Sequence, residues 1–227
     1  MAFDGIVVAD LVHELRKELL NGRIARIVQP EPDELLITVK TQEGQKRLLI
    51  CADASLPLVY LTDTNKPAPM SAPNFCMLLR KHIGSGRITD ISQPKLERII
   101  RFTIEHLNEL GDLCRKLLIV EIMGKHSNII FCTEDGKIID SIKHVSAQMS
   151  SVREVLPGRE YFIPDTMHKA DPLTVSRADF SALLTGKPAP VSKALYTSFT
   201  GISPVTAEEI CFLAGLDSSV PAKEYSE

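Results

Sequence analysis

The chain has 227 residues, 44% of them hydrophobic, and a net charge of −3. That length buries one large core or two modest ones, and the slightly acidic balance excludes binding to nucleic acid through bulk positive charge, so any such contact must rest on a local patch. Its apolar runs fall well short of the roughly 20 residues a membrane helix needs. The segment Met1 to Gly5 lacks the basic start and apolar run of a signal peptide, and a cytoplasmic, membrane-free location is expected. The five cysteines, Cys51, Cys76, Cys114, Cys132 and Cys211, form no C-x-x-C pair and no ligand spacing with histidine. They read as free, mostly buried thiols with no metal site.

The first element is a helix, because Val8, Leu11, Val12, Leu15 and Leu19 fall on one face and Gly22 stands at its stop. Strands follow, with a tight hairpin at Gln42-Glu43-Gly44. The nonapeptide from Gly22 to Pro30 then returns 64 residues later as Gly86 to Pro94, with six identical positions. Before the second copy, Pro73 suits a first helical turn and Phe75, Met77, Leu78 and Leu79 continue it. Each copy therefore reads as a helix and four strands, and a hairpin at Glu134-Asp135-Gly136 adds one more strand, Lys137 to Ile142. The fold class expected is α+β: a pseudo-symmetric β-sandwich with flanking helices, over residues 1–165.

Two apolar runs of the second copy, Leu117 to Val120 and Ile129 to Cys132, enclose the polar stretch Glu121 to Asn128. This stretch holds a permissive glycine, Gly124, a cation, Lys125, an imidazole, His126, and two hydrogen-bonding side chains, Ser127 and Asn128. Two readings are open. One is an ordinary polar turn with a solvated Lys125; the other is a contact site for phosphate or a polar partner. A nucleotide-hydrolysing P-loop is excluded, since Ile119 and His126 occupy the positions of its first Gly and its Ser or Thr. The equivalent loop of the first copy, Ala52 to Pro57, carries no cation. Glu97-Arg98 likewise aligns with the acidic pair Asp33-Glu34. The second copy alone acquires cations, which favours a partner over a purely structural need.

Beyond a linker-like stretch, Pro164 to Pro172, three short helices are expected over about 176–184, 191–199 and 204–213, forming a helical region at 173–218. Thr200-Gly201-Ile202-Ser203-Pro204 reads as a tight turn with Ser203 as cap and Pro204 at the first helical position. Two uses are open for it: a plain helix–helix connection, or a helix–hairpin–helix element whose backbone N–H groups face a phosphate.

Phe3-Asp4-Gly5, Phe75 to His82, Glu97-Arg98 and Glu121 to Asn128 together resemble the N-terminal NFACT domain of the bacterial RqcH family. The resemblance implies a fold similar to the N-terminal domain of MutM-type DNA glycosylases, followed by a helix–hairpin–helix region. It implies binding to obstructed large ribosomal subunits that carry peptidyl-tRNA, recruitment of alanyl-tRNA, and untemplated alanine addition to the stalled chain. The ribosome would make the peptide bond, so no catalytic residue, enzyme activity or cofactor is expected here. Full-length members continue into a coiled coil and a basic RNA-binding domain, so the chain reads as a fragment. The family's Asp-Arg pair, which engages tRNA, falls on Glu97-Arg98, with an acid one methylene longer. The residues expected to meet tRNA or ribosomal RNA are Glu97, Arg98, Gly124, Lys125, His126, Ser127 and Asn128. Two alternatives are a fibronectin-binding surface protein and a catalytically dead glycosylase-like nucleic-acid module. Ala2 stands where the glycosylases need a proline nucleophile.

Overall fold

Helix α1 spans Gly5–Leu19, and its five stripe residues from Val8 to Leu19 are all buried. Asn21 adopts a φ of 65° just beyond it, and a Cβ on Gly22 would lie 2.4 Å from the Val39 side chain, so the chain leaves the helix directly into strand. Four strands follow: β1 (Arg23–Val28), β2 (Glu34–Thr41), β3 (Gly44–Cys51) and β4 (Leu58–Leu61). The pattern then repeats as α2 (Asn74–Ile83), β5 (Arg87–Ser92), β6 (Ile99–Leu107), β7 (Leu113–Glu121) and β8 (Asn128–Thr133), with β9 (Ile138–Ser141) added. The computed structural model describes residues 3–165 and 167–225; Ala2 lies outside them.

The duplication extends to irregularities. β1 is bulged against β2 between Ile24 and Arg26, and β5 against β6 between Ile88 and Asp90, 64 residues further on. A bulge inserts one residue and resets the alternation of faces. It lets Ile24 and Ile27 both turn inward, as do Ile88 and Ile91.

The nine strands form one antiparallel sheet in the order β4-β3-β2-β1-β5-β6-β7-β8-β9. Its halves join at β1 and β5, where Arg23 pairs with Arg87 and short N–H···O contacts link Ile24 to Gly86 and Ile88 to Gly22. In a flat sheet, β3 and β9 would stand about 34 Å apart at a strand spacing of about 4.8 Å. Yet the Lys143 ammonium, just past β9, donates to the Ala52 carbonyl just past β3. The sheet therefore folds back on itself, and its halves face each other as a sandwich.

A strap after β9 covers the outer face of the second half. Val155 joins Ile99, Ile119 and Ile130 in one buried cluster, with Val145 and Tyr161 packed on it. Glu121 anchors the strap: its buried carboxylate accepts from Arg153 at 2.5 Å and from the Tyr161 hydroxyl at 2.9 Å. The Arg153 guanidinium also lies 5.4 Å from the Tyr161 ring centre.

By internal contacts the chain divides into two units. The larger comprises Leu11–Ser92 and Ile99–Pro164; the smaller comprises Met1–Asp10, Gln93–Arg98 and Asp165–Glu227. The smaller unit is discontinuous: besides the C-terminal residues it takes in the N-terminal residues and the β5–β6 connector. Its helices are α3 (Arg177–Thr185), α4 (Val191–Ser198) and α5 (Pro204–Leu213), close to the expected spans. Ser176 and Ser203 cap α3 and α5 by accepting from Asp179 N and Thr206 N. Leu184, Leu195, Phe199 and Cys211 form its core. No helix among the described residues is long and apolar enough to cross a membrane.

Removing Arg153 would strand a carboxylate that is 1% exposed. Arg153→Ala is expected to lower the unfolding free energy by about 3–5 kcal/mol, read from urea denaturation at neutral pH.

Candidate functional site

Within the smaller unit, the Glu97-Arg98 pair is held by its neighbours in the connector. The Gln93 amide donates to the carbonyls of Gly5 (2.9 Å) and Glu97 (2.8 Å), tying the connector to the start of α1. Leu96 is buried, and its carbonyl would lie 2.1 Å from a Cβ on Gly5 and 2.3 Å from one on Gly201. Only glycines permit this approach, and Gly201 also needs its φ of 77°. The Gly5 N–H donates to the Gly201 carbonyl at 2.8 Å.

Asp4 completes this arrangement. One carboxylate oxygen caps α1 by accepting from Ile6 N and Val7 N at 3.1 and 3.0 Å. The other accepts from the Ser203 hydroxyl at 2.7 Å and from the Thr206 hydroxyl. Burial works against the charge, but these four hydrogen bonds outweigh it and hold the Asp4 carboxyl below the usual range. A side-chain carboxylate thus sits at the N-terminus of α5. Through these two hydroxyls the Gly-Ile-Ser-Pro turn serves as a joint to the start of α1, while Asp4 accepts from none of the turn's own backbone N–H groups.

Glu97 is half-buried and Arg98 exposed. Among the described residues no ion pair joins them. Burial pushes the Glu97 carboxyl up, against the pull of Lys95 and Arg98. Lys169 belongs to the same cluster. Its ammonium donates to the Tyr196 carbonyl at 2.7 Å, in the last turn of α4. Burial, then the nearby Arg98 charge, push its pKa down. Two cations beside a carboxylate whose charge burial disfavours form a group suited to a polyanion or a base edge. Sequence reasoning missed Lys169, which lies in a stretch that reads as linker.

The Glu121 to Asn128 stretch, in the larger unit, divides into structural and accessible parts. Gly124–His126 form a single 3-10 turn, with Gly124 at φ 56°. Ser127 and Asn128 are buried. Ser127 Oγ accepts from Met123 N at 2.8 Å. Asn128 donates to the Lys143 carbonyl at 2.8 Å and accepts from the N–H groups of Ile129 and Lys143. Both side chains are buried and bonded within the chain, which leaves neither at the surface. Lys125 and His126 remain exposed, supported on this framework. The equivalent first-copy loop lies alongside: the Ala54 carbonyl would be 3.9 Å from a Cβ on Gly124. There Asp53 accepts from Leu56 N and Ser55 N, which hold its carboxyl below the usual range.

The family of NFACT N-terminal and middle domains matches residues 4–227, and the chain belongs to that family. The Rqc2 homolog RqcH of Bacillus subtilis is 39% identical over 97% of this chain, which spans 39% of that protein's length. The Streptococcus pneumoniae RqcH is 36% identical over 92% of the chain and 38% of its own length. These relatives mark a ribosome quality-control family. Among solved structures, the N-terminal part of the fibronectin/fibrinogen-binding protein from Streptococcus suis superimposes with a TM-score of 0.87 at 35% identity, covering 96% of this chain and 81% of that one. The N-terminal domain of the fibronectin-binding protein PavA from Streptococcus pneumoniae gives 0.85 at 34% identity, covering 94% and 80%.

Two substitutions test this description. Because the Asp4 carboxyl is less basic folded than unfolded, its stabilisation is complete above pH ~4 and is lost as pH falls through the folded value. Asp4→Ala is expected to cost about 1–3 kcal/mol at pH 7, and the gap to the parent protein should narrow below pH ~4 in urea titrations. Glu97 has the opposite sign. Its charged form is disfavoured on folding, so Glu97→Gln should leave the urea midpoint at pH 7 equal or higher, with the difference shrinking in acid.

Proposed function

We propose that this chain is the tRNA- and ribosome-contacting part of a cytoplasmic quality-control factor. In this reading the whole protein binds large ribosomal subunits obstructed by peptidyl-tRNA and recruits alanyl-tRNA. Alanine is then added to the stalled chain without a template, and the ribosome makes the peptide bond. The chain contributes recognition, not catalysis. The observation that carries the reading is Glu97-Arg98, in a chain 39% identical to RqcH: an exposed guanidinium beside a carboxylate whose charge burial disfavours. A planar fork of this kind serves phosphate and base edges alike. Glu97 stands one methylene further from the backbone than the aspartate of the resembling motif, which moves the carboxylate toward the partner. Lys125 and His126 supply a second, separate contact on the larger unit, directed at the RNA backbone.

A second reading follows from the names of the structural neighbours, which are fibronectin-binding proteins. It predicts matrix binding that does not depend on Arg98. The two are separated by Arg98→Ala in the full-length protein. Loss of alanine tailing by at least about tenfold, equivalent to about 1.4 kcal/mol of binding, with unchanged thermal stability is expected. Tailing that is unaffected, together with fibronectin capture by both forms, would sink the ribosomal reading.

A further inference from the structure

The repeated Gly-Arg-Ile places an arginine at the same point of each copy, Arg23 and Arg87. The structure brings those two together across the β1–β5 seam. The bonds flanking them run from Ile24 N to Gly86 O and from Ile88 N to Gly22 O, so Arg23 and Arg87 form a non-hydrogen-bonded pair, the class in which facing side chains stand closest. Like charges in such a pair are destabilising. The row continues outward in register: Lys40 lies beside Arg23, and beyond Arg87 come Glu105 and then Arg115. Glu105 and Glu134 are taken by Arg115, and Asp90, on the same strand as Arg87, by Arg16. Lys40, Arg23 and Arg87 are exposed and have no ion-pair partner among the described residues. Beside the row, Arg26 and Arg80 line an open groove of about 260 Å³ between β1 and the end of α2. Arg23 reaches that groove's rim through a 3.3 Å contact to the Ser85 carbonyl. A chain of net charge −3 thus concentrates unneutralised arginines on one face, at a cost in stability.

We propose that this seam is a second RNA-binding surface that grips phosphate backbone without reading sequence. It rests on the RNA-binding reading above but uses none of the same residues. Backbone phosphate is the partner the chemistry favours. Arginine forks match phosphate geometry, and the cations are aligned across strands rather than gathered around one point.

The test is fluorescence anisotropy of the whole protein with a labelled 20-base-pair RNA duplex of arbitrary sequence, across a salt series, for the parent, Arg23→Gln/Arg87→Gln and Arg98→Ala. The seam variant is expected to bind roughly tenfold more weakly, and its dependence of log affinity on log salt to flatten by about 1.8, or roughly 0.9 per lost phosphate contact. Its melting temperature should be equal or higher, because a like-charge pair has been removed. Unchanged affinity and slope would overturn the proposal, as would a lowered melting temperature that accounts for the loss. Vesicles containing phosphatidylserine form a second arm; a defect confined to the vesicles would assign the face to lipid and overturn it too. A seam variant that binds duplex normally while Arg98→Ala abolishes alanine tailing would refute the seam alone. Normal tailing in Arg98→Ala beside a weakened seam variant would refute only the earlier reading.

Discussion

Asp4 is the carboxylate on which the smaller unit depends. A single side chain closes the first turn of α1 and the first turn of α5, residues about 200 positions apart in sequence. Beside it, Gly5, Gly201 and the Leu96 carbonyl approach so closely that no Cβ fits at either glycine. Because Leu96 is held there, Glu97 and Arg98 follow in a fixed position, and β6 begins at the next residue. Arg98 thus stays exposed next to a closely packed stretch of backbone.

Much of the larger unit was legible because duplication is a sequence property. The nonapeptide repeat announces two helix-plus-four-strand copies, and both are found. The spacing of Ile24 and Ile27 was harder to read. Three residues apart is a helical interval, and only a bulge reconciles it with a strand. The candidate site was half legible for a related reason. Ser127 and Asn128 have the chemistry of ligand contacts, but the groups they bond, Met123 N and the Lys143 backbone, are set by the turn and by a strand edge 15 residues on. The turn at Gly201 gave no local sign that its Ser203 and Thr206 hydroxyls meet a carboxylate from the far end of the chain. Lys169 carried no local signal.

The two copies have diverged in charge while holding their backbone. The first-copy loop spends its Asp53 carboxylate on its own N–H groups; the second raises Lys125 and His126 on a turn whose polar side chains face inward. Polar residues that satisfy the fold and polar residues that stay exposed therefore lie within the same eight positions. Polarity alone does not separate them; accessibility does.

The pairing of Arg23 with Arg87 has a meaning beyond charge. Residue i of one copy meets the equivalent residue of the other, and an antiparallel ladder does this only where a two-fold axis passes between the strands. Such a contact is isologous, the kind made by two identical chains in a symmetric dimer. The sheet is in that sense a dimer interface retained inside one polypeptide. The covalent link frees each half to change without its twin, so a cation can enter one loop and not the other.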